Sequence, residues 1–367
     1  MFKIACSLLL SSTLISLADM VPVYLGSGTD DGIYSANLNS ETGELSDLRN
    51  AVTTSGASSL ALSKNKKYLY ANGRIPGKKE GSVSAFSIEE DGSLKLINTQ
   101  SSKGRGACHV SLDATSRCLF VANYSSGSIS SYLLSDKGEI SEAVSHHQHE
   151  GKSVHPDRQK GPHAHSIYSS PDNKYVYSAD LGIDKVMIYK LNAETAELTK
   201  AGEVKTPAGG GARHMVFSKD GSKLYVLNEL TLTVSLFSRN ADSGTLTLLK
   251  TSAVIEKHLA FTNSLSCSEI QLSEDSRFIY AATRDLENKG RDSISVLDSK
   301  DLQIVQQHRT DGWIPRHFGV SPSGKWLLVA GQSANKVVVH ALDPKTGKLE
   351  QTTHAIDLTK PMWILFP

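Results

Sequence analysis

The sequence has little cysteine, with four residues among 367, and no long run of charge of either sign. Its formal net charge is +1. Because proteins that bind nucleic acids usually carry a clustered basic surface, this balance argues against a nucleic-acid partner. Beyond the first residues, no apolar stretch is long enough to cross a membrane as a helix. We therefore expect a globular protein with neither nucleic acid nor membrane as a partner in its mature form.

Three of the cysteines, Cys108, Cys118 and Cys267, lie in the body of the chain. Their odd number gives no disulfide framework, and their spacing is not that of a metal site. Cys108 and Cys118 flank a predicted hairpin and could form a disulfide, although we favour buried free thiols. We expect no metal ion and no other cofactor.

The N-terminal segment differs from the rest of the chain. A short basic start, Met1-Phe2-Lys3, precedes an apolar or small stretch over residues 4–17. Ser16-Leu17-Ala18 fits the small-x-small cleavage rule, so residues 1–18 are predicted to be a secretory signal peptide. The mature protein, residues 19–367, would then be secreted or periplasmic. The alternative is a chain that starts at Met20 and stays in the cytoplasm.

One strand pattern repeats along the remaining sequence. Each copy has a few apolar residues, a serine, a polar turn, an aromatic-rich strand and an alternating strand. The clearest copies begin at His165 and His214, and others begin at Leu60, His109, Glu269 and His317. Successive copies start roughly 50 residues apart, and a period of this size built from strands is typical of a β-propeller.

The two ends of the chain complement each other. Residues 23–28 match the second strand of a repeat, and residues 361–366 match a first strand. Six complete copies and one copy shared between the termini predict an all-β fold, a seven-bladed propeller with four antiparallel strands per blade. Pairing the termini in one blade would close the ring and leave few exposed strand edges. We expect residues 19–367 to form this single domain.

Charged side chains gather at two strand positions that a propeller places on one face. Because the first two strands of a blade run antiparallel, the start of one and the end of the other lie together. The opposite face carries ordinary turn residues. The candidates at this mouth are His109, His163, His165, Arg213, His214, Arg316 and His317 at first-strand starts, and Arg74, Asn123, Asp180, Asn228, Glu229, Arg284, Asp285 and Gln332 at second-strand ends. Convergent arginine and histidine side chains would attract an anion.

Several of these residues have a simpler structural explanation. His109, His214 and His317 recur at one blade position, so they could be packing residues of the repeat. Arg213 and Glu229 could form a salt bridge with no other role.

A predicted loop of roughly 20 residues before His163 is long enough to be a lid or a binding loop. It carries Arg158, Gln159 and a histidine cluster over residues 146–149. The cluster could bind a metal, but its irregular spacing favours a polar loop. The glycines at 209–211 indicate close packing at a blade junction.

The chain resembles the propeller lactonase family, which includes propeller-type 6-phosphogluconolactonases and carboxymuconate lactonizing enzymes. The resemblance covers residues 22–367. It is carried by the paired histidines in residues 162–165, the Arg-His motif at 213–214 and Asn-Glu-Leu at 228–230. It implies a catalytic set of His165, Arg213, Glu229 and Arg284. Some of the other mouth residues, with Arg158 and Gln159, are then candidates for substrate binding: His163, His214, Asn123, Asp180, His317 and Gln332.

This resemblance implies metal-independent hydrolysis of a sugar-type lactone. Arg213 and Arg284 would hold the substrate anion or the developing oxyanion. Glu229 or His165 would deprotonate a water molecule and later protonate the leaving alkoxide. No Gly-x-Ser-x-Gly motif supports a covalent route. The alternatives are a muconate-type enzyme that closes lactones and a non-catalytic exported propeller that binds a partner. We expect an anionic lactone as the ligand and a monomer or weak dimer.

Overall fold

The computed structural model describes residues 20–256 and 264–367, so the predicted signal peptide, residues 1–18, lies outside the described residues. In this part of the chain the regular elements are 28 β-strands. They pair into seven four-stranded sheets. Within the described ranges, no helix is long and apolar enough to span a membrane. The predicted all-β, seven-bladed propeller is confirmed.

The strands are numbered in chain order. They are β1 (Met20–Ser27), β2 (Ile33–Asn39), β3 (Leu45–Val52), β4 (Leu60–Leu62), β5 (Tyr68–Arg74), β6 (Glu80–Ile88), β7 (Leu94–Arg105), β8 (Ala107–Leu112), β9 (Cys118–Asn123), β10 (Ser128–Leu134), β11 (Ile140–Gln148), β12 (Ala164–Ser169), β13 (Tyr175–Asp180), β14 (Lys185–Asn192), β15 (Glu197–Lys205), β16 (Ala212–Phe217), β17 (Lys223–Asn228), β18 (Thr233–Arg239), β19 (Leu246–Ala253), β20 (Leu265–Leu272), β21 (Phe278–Asp285), β22 (Ser293–Asp298), β23 (Ile304–Arg309), β24 (Pro315–Val320), β25 (Trp326–Gly331), β26 (Lys336–Leu342), β27 (Leu349–Asp357) and β28 (Pro361–Leu365).

Blade 1 is built from both ends of the chain. Its strand order is β28-β1-β2-β3, and β1 pairs antiparallel with both β2 and β28. Tyr24 in β1, for example, lies opposite Leu365 in β28. Blades 2 to 7 follow as β4–β7, β8–β11, β12–β15, β16–β19, β20–β23 and β24–β27. The predicted closure by the N- and C-terminal strands is confirmed, and it leaves no blade open at the seam.

The aromatic residues of the second strands join neighbouring blades. Seven apolar clusters fill the spaces between adjacent blades, one at each junction. At four of these junctions a second-strand tyrosine also donates its hydroxyl to a carbonyl oxygen in the next blade. These tyrosines are Tyr24, Tyr70, Tyr177 and Tyr225, and their O···O distances are 2.7–3.2 Å. A buried tyrosine needs a partner for its hydroxyl, which explains why this position recurs in the repeat.

The loop before His163 is shorter than the sequence predicts. His146 and His147 belong to β11, so the loop that follows covers only residues 149–163. His147 bonds through Nε2 to the carbonyl oxygen of Leu198, 2.9 Å away. Both histidines therefore belong to the outer strand of blade 3, where they lie opposite Ser130 and Ile129. Within the described residues, no group of three or more His, Cys, Asp or Glu side chains is arranged to hold a metal ion.

The three cysteines of the body are free thiols. Cys118 and Cys267 are buried, and Cys108 is half-buried. The possible Cys108–Cys118 disulfide is therefore wrong, and the preferred alternative of free thiols is confirmed. Burial raises the pKa of each thiol to about 12, which keeps the sulfur atoms protonated.

Candidate active site

The four predicted catalytic residues meet at the carboxylate of Glu229. This residue directly follows β17, and its Oε2 accepts a hydrogen bond from Arg213 Nε at 2.9 Å. Arg284 Nη2 lies 3.3 Å from Oε1, and His165 Nε2 lies 3.9 Å from Oε2. All four side chains are at least 94% buried. Three different blades therefore deliver these residues to one cluster on the propeller axis.

The second residue of an innermost strand reaches the centre in five of the blades. Cys108, His165, Arg213, Arg316 and Met362 hold this place in β8, β12, β16, β24 and β28. All five line a small central cavity of about 20 Å³, together with Ser58, His214 and Trp363. His165 in blade 4 thus occupies the same strand position as Arg213 in blade 5. The prediction that two copies of the repeat begin at His165 and His214 is therefore wrong by one residue.

A β-bulge near the start of the innermost strands explains this arrangement. The register shifts between Ala164 and Ser166 in β12, and between Ala212 and Met215 in β16. In a regular strand, neighbouring side chains point to opposite faces, but a bulge re-aims one of them. Consequently Arg213 and His214, adjacent in sequence, both line the central cavity.

A third arginine reaches Glu229 from the loop over residues 149–163. Arg158 Nη2 lies 3.0 Å from Glu229 Oε1 and 3.0 Å from the hydroxyl oxygen of Tyr124. Asp184 holds the loop in place by accepting bonds from Ser153 Oγ at 2.5 Å and Gln159 Nε2 at 2.7 Å. The predicted long loop therefore carries a charged side chain into the cluster and is fixed by buried hydrogen bonds.

The same aspartate fixes the glycine-rich segment before β16. Asp184 accepts bonds from the backbone nitrogens of Gly209, at 2.6 Å, and Gly211, at 2.7 Å. Gly211 has φ +68°, and a Cβ atom there would lie 2.8 Å from Leu230 Cγ. A side chain at this position would be strained and would clash, so the glycine allows the close packing that the sequence indicates.

Glu229 is held as an anion by its surroundings. Burial raises the pKa of this carboxyl, but the guanidinium groups of Arg284, Arg213, Arg158 and Arg316 outweigh burial and lower the pKa to about 2. Guanidinium nitrogens of Arg158, Arg213 and Arg284 contact both oxygens of this carboxylate, so neither oxygen is free to accept a proton from water. Its position suits a counter-ion that holds several arginines together.

Arg316 is the arginine of this group that lacks a partner of its own. It lines the central cavity, and its guanidinium makes no hydrogen bond or ion pair with the described part of the chain. Burial, Arg213 and Arg284 lower its pKa to about 9. Six buried side-chain atoms of the described residues have no hydrogen-bond partner, and two of them belong to this cluster: His165 Nδ1 and Arg284 Nε. Unsatisfied buried polar groups are rare in proteins, and His165 and Arg316 both line the central cavity, where an anionic or carbonyl oxygen would give them a partner.

Beside this cluster, a second carboxylate lies between two histidines. Glu269 Oε2 is 2.8 Å from His214 Nδ1 and 3.3 Å from His317 Nε2. The ring of Trp363 stacks on His317 with 3.9 Å between ring centroids. The backbone nitrogen of Ile364 donates to His317 Nδ1 at 3.2 Å. His317 is thus used in packing and internal hydrogen bonds, whereas His214 reaches both Glu269 and the cavity.

The family follows from comparison with known proteins. The family model described as "Lactonase, 7-bladed beta-propeller" matches residues 22–366. The chain belongs to this lactonase family. A 6-phosphogluconolactonase of Bacillus subtilis (strain 168) is 31% identical over 344 residues, which cover 92% of this chain and 95% of the relative. A 6-phosphogluconolactonase of Formosa agariphila is 32% identical over 90% of this chain and 94% of its own length.

A solved structure of a related propeller lactonase has the same architecture. The periplasmic gluconolactonase of Pseudomonas aeruginosa superposes on this chain with a TM-score of 0.86 at 28% identity. The match covers 95% of this chain and 99% of that protein. These relatives thus include two 6-phosphogluconolactonases and one gluconolactonase.

Three residues predicted to bind substrate make bonds inside this lactonase. Asn123 and Gln159 are fully buried and donate to the carbonyl oxygens of Ser102 and Leu181. Asp180 is also fully buried, and its Oδ1 accepts a hydrogen bond from the backbone nitrogen of His163 at 2.7 Å. Their side chains support the blade and the loop, and they do not line the central cavity.

The remaining substrate-binding candidates lie at different depths of the mouth. His163 is half-buried and stacks on Tyr124 with 4.5 Å between ring centroids. Gln332 is half-buried beside the end of β25. Arg158 contacts the cluster, His214 lines the cavity and His317 packs behind it.

Four further residues lie at the Glu229 cluster or the central cavity, although the sequence analysis gives them no role in catalysis or substrate binding: Arg316, Tyr124, Glu269 and Trp363. Two of them carried a usable signal, because Arg316 occupies a first-strand start and Glu269 begins a repeat copy. Tyr124 follows the end of β9 directly, and Trp363 belongs to the terminal strand β28. Only the folded ring brings these two side chains to the arginines.

Proposed function

We propose that this protein hydrolyses a sugar-type lactone at one mouth of the propeller, with the lactone carbonyl group at the central cavity. The single observation that carries the proposal is the unpaired guanidinium of Arg316 beside His165 in that cavity. A half-buried cation without an internal counter-ion favours a ligand that brings or develops negative charge. A lactone carbonyl oxygen acquires that charge when water adds to the carbonyl carbon.

The proposed reaction uses side chains of the chain alone. Arg316 and Arg284 polarise the lactone carbonyl and stabilise the oxyanion of the tetrahedral intermediate. His165 accepts a proton from the attacking water and returns it to the ring oxygen when the bond between that oxygen and the carbonyl carbon breaks. The product is an open-chain hydroxy acid. Burial and the charges of Arg213, His214 and Arg316 hold the pKa of His165 well below its usual value, so His165 is neutral and able to accept the proton at pH 7.

In this scheme Glu229 positions the arginines and is not the base. The sequence leaves both Glu229 and His165 open for that role. The contacts with Arg158, Arg213 and Arg284 occupy both oxygens of Glu229, whereas Nδ1 of His165 has no hydrogen-bond partner, and this difference supports the assignment of the base to His165. Without the carboxylate, four guanidinium groups would repel one another in a buried space. Glu229 therefore determines where the cationic groups meet the substrate.

Initial-rate measurements on purified protein test this proposal. Acid release in a pH-stat with glucono-δ-lactone, 6-phosphoglucono-δ-lactone and carboxymuconate as substrates, corrected for spontaneous hydrolysis, separates opening from closing of a lactone. We expect hydrolysis of at least one of the two lactones and no turnover of carboxymuconate. His165→Asn should reduce the rate by about 100-fold or more while the protein stays folded. Turnover of carboxymuconate alone, or of none of the three compounds, contradicts the proposal.

A further inference from the structure

A larger cleft adjoins the central cavity. It has a volume of about 560 Å³ and shares Ser58 and Met362 with the lining of that cavity. Its other lining residues come from blades 1 to 3, and five of them are glycines: Gly28, Gly56, Gly73, Gly81 and Gly106. A ligand whose reactive group lies at Arg316 can therefore extend past Ser58 and Met362 into this cleft.

The charge of the cleft is strongly positive, although the chain as a whole carries only +1. Four cationic side chains line it, namely Arg74, Lys78, Lys79 and Arg105, against one carboxylate, Glu80. The carboxylate of Glu80 accepts a hydrogen bond from Ser101 Oγ. A local excess of this kind in a concave surface raises the local concentration of anions.

Three of these cations have no internal counter-ion. Arg74 is paired with Asp30 at 3.1 Å. Within the described residues, the side chains of Lys78, Lys79 and Arg105 make no hydrogen bond or ion pair. Their charges are available to a ligand, and all three side chains are exposed on the side of the cleft that faces solvent.

We propose that this cleft binds the phosphoryl group of a phosphorylated sugar lactone, with Lys78, Lys79 and Arg105 as the residues that determine specificity. This inference rests on the proposed lactone hydrolysis and deepens it. A phosphate monoester carries a charge between −1 and −2 near pH 7 and offers three acceptor oxygens, which suits a group of lysine and arginine side chains. In a sugar lactone phosphorylated at its far end, that group lies away from the carbonyl carbon, as the cleft lies away from Arg316.

The test compares two triple variants with the same change in charge. The first is K78Q/K79Q/R105Q. The control, K64Q/K67Q/R117Q, removes two lysines and an arginine that are exposed on the turns of blades 2 and 3 at the opposite face. For each protein, kcat/KM is measured with 6-phosphoglucono-δ-lactone and with glucono-δ-lactone, and binding of 6-phosphogluconate and gluconate is measured by isothermal titration calorimetry.

We expect the wild-type protein and the control to prefer the phosphorylated compounds. K78Q/K79Q/R105Q should lose about tenfold to 100-fold in kcat/KM for the phosphorylated lactone, mainly through KM, and much less for glucono-δ-lactone. The preference should also weaken as salt is added, because the three cations are exposed. Equal losses in both triple variants would show a general effect of net charge and overturn the assignment.

The calorimetric binding measurements distinguish an error in the phosphoryl subsite from an error in the proposed lactone hydrolysis. If both lactones are hydrolysed equally well by the wild-type protein, the phosphoryl subsite is wrong and lactone hydrolysis stands. If neither lactone is hydrolysed, the proposed function is wrong, and the subsite is then judged on 6-phosphogluconate alone. Loss of its binding in K78Q/K79Q/R105Q, with binding retained in the control, supports the subsite, whereas unchanged binding overturns it.

Discussion

Arg213 Nε donates a hydrogen bond to Glu229 Oε2 over 2.9 Å, and both side chains are at least 96% buried. The two residues come from neighbouring strands of blade 5, which a turn joins at the opposite face. Arg158 and Arg284 contact the other carboxylate oxygen. One acidic side chain therefore offsets cations from three places in the chain, and the stability of the cluster depends on its charge.

Replacing Glu229 by glutamine should lower the free energy of unfolding by about 3–5 kcal/mol, because it leaves buried guanidinium groups without a counter-ion. Chemical denaturation followed by circular dichroism measures the loss. Glu203→Gln is the matched control: Glu203 also contacts two cations, Lys185 and Lys200, but at the surface. That change should cost no more than about 1 kcal/mol. Equal losses in the two variants would contradict a structural role for Glu229.

Replacing Arg316 by glutamine should reduce activity without reducing stability. Removal of one donor to an oxyanion reduces kcat by about 100- to 1000-fold in comparable sites. The melting temperature should stay the same or rise, because burial, Arg213 and Arg284 disfavour the charged form of Arg316 in the folded protein. Arg239→Gln is the control. It breaks buried bonds to Asp172 and Tyr177 away from the cavity, so it should lower the melting temperature and leave kcat intact.

The pH dependence of kcat/KM should reflect His165 and Arg316. The proposed base must be neutral, and the pKa of His165 lies well below 6.5, so the rate should fall only in acid below that value. Arg316 must be charged, and its pKa of about 9 predicts a loss of rate as the pH rises through that region. Steady-state rates corrected for spontaneous hydrolysis give the profile, and Arg316→Gln should abolish the alkaline decline. An acid decline centred at or above pH 6.5 would rule out this assignment.

Asp184→Asn should loosen the loop that carries Arg158. The substitution weakens four hydrogen bonds to one carboxylate, and bonds to a charged group contribute about 1.5–3 kcal/mol each. We expect faster amide exchange over residues 149–163 and a raised KM, measured by mass spectrometry and steady-state kinetics. Asp113→Asn is the control, since Asp113 also accepts several bonds but lies in the turn between β8 and β9 at the opposite face. It should reduce stability without changing KM.

The N-terminus of the mature protein remains a prediction from sequence. We expect cleavage after Ala18, so that protein isolated from its native host begins at Asp19. Intact-mass spectrometry or N-terminal sequencing decides this point. A chain that retains Met1, or one that begins at Met20, would contradict export by this signal.

Much of the fold follows from the sequence because a propeller repeats its hydrogen bonding and its packing. The same turn recurs along the chain, and a second-strand tyrosine recurs in several blades. The two partial copies at the chain ends can complete a four-stranded sheet only by pairing with each other. The face that carries the site also follows, since antiparallel pairing brings first-strand starts and second-strand ends together. The structure brings His165, Arg213, Glu229 and Arg284 together at that face.

The tertiary structure alone decides which side chains meet. Strand periodicity predicts that Arg213 and His214 face opposite ways, as do Arg316 and His317, but a bulge in each strand changes this alternation. The contact between Arg158 and Glu229 joins residues 71 positions apart, and no local pattern encodes it. The sequence thus determines the ring and its charged face, because both depend on local repeats. The unpaired guanidinium of Arg316 arises only in the closed ring, because the other arginines contact Glu229 and two histidines contact Glu269.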